Sequence, residues 1–144
     1  MSPAYASEWR SVLLCFTPRV RMAMQQLVVN NSAMLANHFY EAMMEDSAAA
    51  SFLSHEQVHN RLKPTLKMWL EEVFLLDPEA DLEQVAQRQI KVGEVHARID
   101  LPVYLVLRGA SRIKEGIYNL MLLRTQLDGQ ERLAATQLVM KVMD

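Results

Sequence analysis

The chain has 144 residues, of which 51% are hydrophobic and 22% charged, the make-up of one folded domain, which excludes extended disorder. Fifteen Lys and Arg against seventeen Asp and Glu give a formal charge of -2 with no long basic run, which argues against a nucleic-acid partner. Cys15 is the only cysteine, so no intrachain disulfide can form and a reducing cytoplasm is expected. No basic-then-apolar leader opens the chain, and no apolar stretch approaches the roughly 20 residues that cross a bilayer, so neither secretion nor membrane insertion is expected.

Glycines and prolines are few, and no pair of alternating runs is joined by a hairpin dipeptide, so strands are not expected. Ten methionines, with many Leu and Ala, favour helices and supply adaptable side chains for a core or an irregular cavity. Ser7 is read as the cap of a short first helix carrying Trp9, Val12 and Leu13. Thr17-Pro18 reads as a cap followed by proline at the first helical position. From there to about Glu45 the spacing of Met22, Leu27, Leu35, Phe39 and Met43 predicts one or two helices, with a break near Asn30-Asn31-Ser32. Ser54 and Gln57 form a capping box that opens a helix through Val58, Leu62, Thr65, Leu66 and Trp69, bent at Pro64.

After the loop Leu76-Asp77-Pro78, a helix is predicted from about Asp81 to Ile99, with Val85, Val92, His96 and Ile99 near one face. Asp100-Leu101-Pro102 is read as the cap and first turn of a long helix whose stripe runs Val103, Val106, Leu107, Ala110, Ile113, Ile117 and Leu120. Leu127-Asp128-Gly129 breaks it, and a last helix from about Gln130 to Met143 ends abruptly at Asp144, as expected of a domain cut from a longer protein. Six or seven helices with short connections make an all-α domain over residues 1–144, either a bundle or a globin-like packing.

Two metal readings compete. His55-Glu56-Gln57-Val58-His59 matches H-E-x-x-H, in which histidines one turn apart hold zinc and the glutamate takes a proton from bound water. The extended pattern fails at Leu62 and Thr65, Glu71 or Glu72 would have to supply the third ligand, and two surface histidines in a polar first turn are the simpler reading. His96 lies on the side of its helix that carries Val92 and Ile99, with Gly93 lowering the surface nearby. From spacing alone it is a hydrogen-bonded core histidine or a heme ligand.

The ordered set Phe39-Tyr40, Phe52-Leu53-Ser54-x-Glu56-Gln57-Val58, Leu62-Lys63-x-Thr65, Trp69 and Glu94-Val95-His96-Ala97-Arg98-Ile99-x-x-Pro102 resembles the bacterial globin-coupled sensors. It is nearest to those joined to diguanylate cyclases. The resemblance implies a sensor-globin fold around heme b, with His96 as the proximal iron ligand and Tyr40 as the distal hydrogen-bond donor to dioxygen. It implies a distal hydroxyl at Thr65, an apolar gatekeeper at Leu62, and a pocket lined by Phe39, Trp69, Val92, Ile99 and Tyr104. From the residues alone, Tyr40 reads equally as a core aromatic, Thr65 as bonding back to Arg61, and Leu62 as plain packing.

The resemblance further implies reversible binding of O2, with CO and NO as other ligands, and a homodimer through the last two helices. It implies a C-terminal output domain making cyclic di-GMP, with no catalysis in the globin itself. The stripe from Val103 to Leu120 and the run Leu133, Leu138, Val139, Val142 suit a dimer interface and intramolecular packing equally. Lys67, Arg88 and Lys91 are propionate partners only in being basic. The alternatives are a heme-free globin-fold interaction module, a zinc peptidase through His55, Glu56 and His59, and a heme dioxygenase consuming nitric oxide.

Overall fold

A computed structural model of the chain describes residues 3–53, 61–124 and 126–143. Among the described residues there are eight helices and no strand. They are α1 (Pro3–Leu14), α2 (Pro18–Asn30), α3 (Ser32–Glu45), α4 (Ser47–Ala50), α5 (Lys63–Val73), α6 (Leu82–Arg98), α7 (Val103–Arg124) and α8 (Gly129–Met143). The all-α reading holds, the count exceeding expectation by the single-turn α4. Ser54, His55, Glu56, Gln57, Val58 and His59, and with them the capping box and the H-E-x-x-H motif, lie outside the described residues.

Most helix ends follow local chemistry. The Thr17 hydroxyl accepts from the Val20 amide at 3.2 Å and Pro18 takes the first helical position, as the sequence predicts. Asp81 caps α6 by accepting from the Gln84 amide at 3.1 Å. Asp128 and Glu131 cap α8 reciprocally: Asp128 accepts from the Glu131 amide at 2.8 Å and Glu131 accepts from the Asp128 amide at 3.1 Å, an acidic capping box. Asn31 breaks α2 from α3, and its side-chain amide donates to the Leu27 carbonyl at 2.7 Å, terminating one helix as the other begins.

Two expectations change, and a third falls partly outside the described residues. Ser7 is not a cap: α1 opens at Pro3, and the Ser7 carbonyl sits inside the helix accepting from the Ser11 hydroxyl, because a proline at a helix start can open it a turn earlier than a serine would. The bend expected at Pro64 concerns a helix whose predicted start over residues 54–60 lies outside the described residues, and Leu62, two residues before Pro64, is already helical. Pro64 occupies the first turn of α5, just after a wide π-type turn at residues 61–62, where its missing N–H costs α5 nothing. Asp100 is not the cap of α7. At φ 54° it is the left-handed residue that ends α6, with the Asp100 amide bonding to the Ala97 carbonyl at 3.1 Å and the Leu101 amide to the His96 carbonyl at 3.1 Å, the pair of bonds of a Schellman motif.

Helix α3 is central, packing against α5, α7 and α2, while α2 also lies on α5, α7 and α8, and α1 lies on α6. Leu13, Met24, Val28, Leu70, Phe74, Leu76, Ile117, Leu138 and Val139 are fully buried in the main core. A smaller cluster, Met43, Ala49 and Leu105, fills the corner of α3, α4 and α7, and Phe39 packs against both. Helix α7 meets α3 through glycines seven residues apart on one face. A Cβ added at Gly109 would lie 2.9 Å from Phe39 Cε2, and one at Gly116 would lie 2.9 Å from Leu35 Cδ2.

This packing divides the stripes on which dimerisation was weighed. Ile113, Ile117, Leu120, Leu138 and Val139 are buried in the chain's own core, whereas Val103, Val106, Leu107 and Leu133 face solvent. Intramolecular packing therefore takes the C-terminal half of the α7 stripe. None of the described helices is long and apolar enough to cross a membrane.

Candidate functional site

His96 stands near the end of α6, half-buried, while the buried residues of that helix, Leu82 and Ala86, lie at its start. Helix α6 makes close backbone packing with α1 but not with α5 or α7. Side chains bridge it to α5 instead: the Trp69 indole N–H donates to Gln89 Oε1, and Arg88 pairs with Glu72 at 2.8 Å. Gln89 and His96 are seven residues apart and share a helix face, so His96 looks toward the same side as the Trp69 contact, two turns further along. Around it Val92 is half-buried, and Val95, Ile99 and Tyr104 are left 49%, 51% and 51% exposed.

Tyr40 and Phe39 are adjacent on α3 and meet edge to face, with ring centroids 4.8 Å apart and an interplanar angle of 86°, a favourable quadrupole arrangement. Burial pushes the Tyr40 phenol up to about 12, because a phenolate loses solvation there. Its hydroxyl is therefore a neutral O–H at any physiological pH, and among the described residues it has no hydrogen-bond partner.

The cross-links set the register of the helices. The Ser32 hydroxyl, at the start of α3, donates to Glu71 Oε1 at 2.8 Å near the end of α5. Two helices that pack along their length from such a link run antiparallel, which puts the second half of α3 at the level of the first turn of α5. Trp69 and Glu72 likewise tie the end of α5 to Arg88 and Gln89 in the first half of α6, and His96 lies beyond them.

Leu62 is half-buried at the wide turn. Thr65 takes the geometry read from the residues alone: it is exposed, and its hydroxyl donates to the Arg61 carbonyl at 2.7 Å. Its one proton is committed to its own helix. Trp69 is half-buried and serves as the bridge to Gln89. Tyr104 lies under the Arg108 guanidinium at 5.7 Å, and Arg108 pairs with Asp46, the residue that caps α4.

Two of the cations considered as propionate partners are engaged: Lys67 pairs with Glu71 at 2.8 Å and Arg88 with Glu72, while Lys91 is exposed. The same pairs engage Glu71 and Glu72, either of which a zinc reading would use as third ligand, while the histidines of that reading lie outside the described residues. Gln89, Asp100, Arg108 and the two glycines of α7 are absent from the sequence reading of the site. Only the seven-residue glycine spacing was open to detection.

A lone imidazole among Val92, Val95 and Ile99, at the end of a helix not closely packed by α5 or α7, fits a large apolar prosthetic group with one nitrogen ligand better than it fits a hydrophilic ion. Gly93, one turn before His96, has no heavy atom within 4 Å of an added Cβ, so its smallness does not serve helix packing.

Comparison with known proteins gives the family and the fold. The Protoglobin family profile matches residues 20–144. Diguanylate cyclase DosC of Escherichia coli K12 is 33% identical over 111 residues, covering 77% of this chain and 24% of that protein. The DosC of Shigella flexneri serotype 5b is 32% identical, with 29% of its length covered. The crystal structure of the globin domain of E. coli DosC in its ferric form superposes with a TM-score of 0.88 at 29% identity, over 98% of this chain and 93% of that one. The ferrous form gives 0.86 over 96% and 92%. The chain spans about a quarter of the length of the diguanylate cyclases it matches, and the matched part is their globin domain.

Proposed function

The chain belongs to the protoglobin family, and from that membership we propose that it is a heme-bearing gas-sensor domain, tuned for dioxygen, of a longer protein. The observation that carries this reading is the half-buried His96, on an apolar face at the end of a helix not closely packed by α5 or α7, with the protonated phenol of Tyr40 on α3. The ferric and ferrous forms of the related DosC globin support an iron cofactor.

His96 would hold heme b through an imidazole nitrogen, with Val92, Ile99, Tyr104, Phe39 and Leu62 supplying apolar surface. When bound, a ferrous heme would supply reversible binding of a diatomic gas. Tyr40 would donate a hydrogen bond to that gas. The bond is worth about 0.5–1.5 kcal/mol and favours the more polar O2 over CO. NO would be a further ligand. A change at His96 would reach the turn that leads into α7, because the His96 carbonyl accepts from the Leu101 amide at 3.1 Å. Exposed Val103 and Leu107 on α7 and Leu133 and Met140 on α8 would meet a second copy, and an attached diguanylate cyclase in the cytoplasm would read the change.

The test is an absorption spectrum of protein from heme-replete cells, with His96→Ala beside it. A Soret band that shifts with O2 and CO, and is lost or reduced to a weakly ligated form in the variant, is the expected result. A colourless wild type would replace this reading with a heme-free interaction module. An unchanged spectrum in the variant would remove His96 as ligand.

A further inference from the structure

The helix that carries His96 meets α5 through the Trp69–Gln89 and Arg88–Glu72 side-chain contacts. Its close backbone partner is α1, which lies ahead of the stretch matched by the family profile. Helix α1 buries Ala6 and Leu13 in the main core, and α6 buries Leu82 and Ala86, so small residues on both helices permit close approach. Arg10 adds a directed link: its Nε donates to the Pro78 carbonyl at 2.6 Å and its Nη2 to the Ala80 carbonyl at 3.4 Å. Both acceptors belong to the loop that ends at the Asp81 cap of α6. Arg21 of α2 donates to the Leu76 carbonyl of the same loop at 3.3 Å.

We infer that α1 is a brace for the His96 helix, with Arg10 as a positioning residue for His96. The guanidinium holds the Pro78 carbonyl and shares the Ala80 carbonyl with the Leu82 amide that opens α6, so the start of α6 is fixed and its far end swings only as far as that anchorage and the Schellman turn at Asp100 allow. Loss of the link frees the proximal helix without opening the core beneath α2, α3 and α8. The effect on cofactor retention rests on the reading of His96 as the axial ligand, whereas the bracing of α6 does not.

The experiment compares Arg10→Met, which keeps an apolar stem and removes the donors, with Arg10→Lys, which restores one donor. Amide exchange is followed in peptides covering α6 and α8, and heme transfer to an apoglobin scavenger is timed on the same proteins. Expected for Arg10→Met is exchange in α6 faster by roughly tenfold, the scale set by losing a charged hydrogen bond. Heme transfer should accelerate in step, α8 should be unmoved, and Arg10→Lys should fall between. Unchanged exchange in α6, or equal acceleration in α6 and α8, overturns the brace. Local release of α6 with unchanged heme transfer keeps the brace and refutes the positioning of His96. A wild type without heme defeats the sensor reading, while the exchange measurement still decides the brace.

Discussion

Tyr40→Phe separates two consequences of one hydroxyl. The phenol is raised from 10.0 to about 12 by burial, and every tenfold gain in proton affinity corresponds to about 1.4 kcal/mol between the two protonation states. The neutral form is the one the fold tolerates, so the contribution to stability is whole below the unfolded value of 10.0. It is lost as pH rises from there through about 12, in total about 2–3 kcal/mol. Tyr40→Phe removes this alkaline loss. At neutral pH the variant should match or slightly exceed wild type, because the hydroxyl has no partner among the described residues and its removal relieves desolvation. Urea titrations of both proteins at neutral and alkaline pH measure the difference, and phenolate absorbance reports which tyrosine resists ionisation. Gas kinetics on the same pair should show faster O2 release in the variant, by roughly two- to tenfold for one hydrogen bond, with CO release little changed. Parallel stability profiles in wild type and variant across the alkaline range would refute the burial argument, and equal O2 release rates would refute Tyr40 as the donor.

Gly109→Ala should lose up to about 2 kcal/mol, because the new Cβ would lie 2.9 Å from Phe39 and overpacking outweighs the helix-propensity gain of about 1 kcal/mol. Gly93→Ala, with nothing within 4 Å, should gain about 0.5–1 kcal/mol in the heme-free chain; thermal melts that rank the two variants the other way would contradict the packing. Hydrogen bonds from Lys67 and then Ser32 hold the Glu71 carboxyl below its ordinary 4.5. Its advantage over Glu71→Gln is therefore present above that pH and fades as pH falls through the lowered value, staying under about 1 kcal/mol because the pair is part-exposed. Denaturation midpoints at neutral and acid pH check this. At Asp100, where φ is 54°, glycine should add about 0.5–1 kcal/mol and valine should subtract about 1–2, as equilibrium unfolding would register.

Legibility followed distance along the chain. The caps at Thr17, Asp81 and Asp128 are contacts between residues three apart, so the sequence displays both partners together. Ser7 and Asp100 misled because each has the right chemistry for a cap: Pro3 had already begun one helix, and the left-handed turn at Asp100 closes the preceding helix. His96 and Tyr40 stood out through a family pattern and their apolar surroundings. Thr65 has the same hydroxyl whether it points at a ligand or at Arg61, and only the backbone at the wide turn separates these.

Propensity, capping and residue type were enough to establish, from the order of amino acids, that the chain is all-helical, where most helices begin, and which imidazole and phenol are candidates for chemistry. Packing in three dimensions was needed to divide Ile117 and Val139, which are core, from Val103 and Leu107, which face solvent, to seat Phe39 against Gly109, and to bring Arg10 to the loop before the His96 helix. Those outcomes depend on helix register, which is set by side chains dozens of residues apart, and the periodicity of a single helix carries no record of which neighbour will cover it.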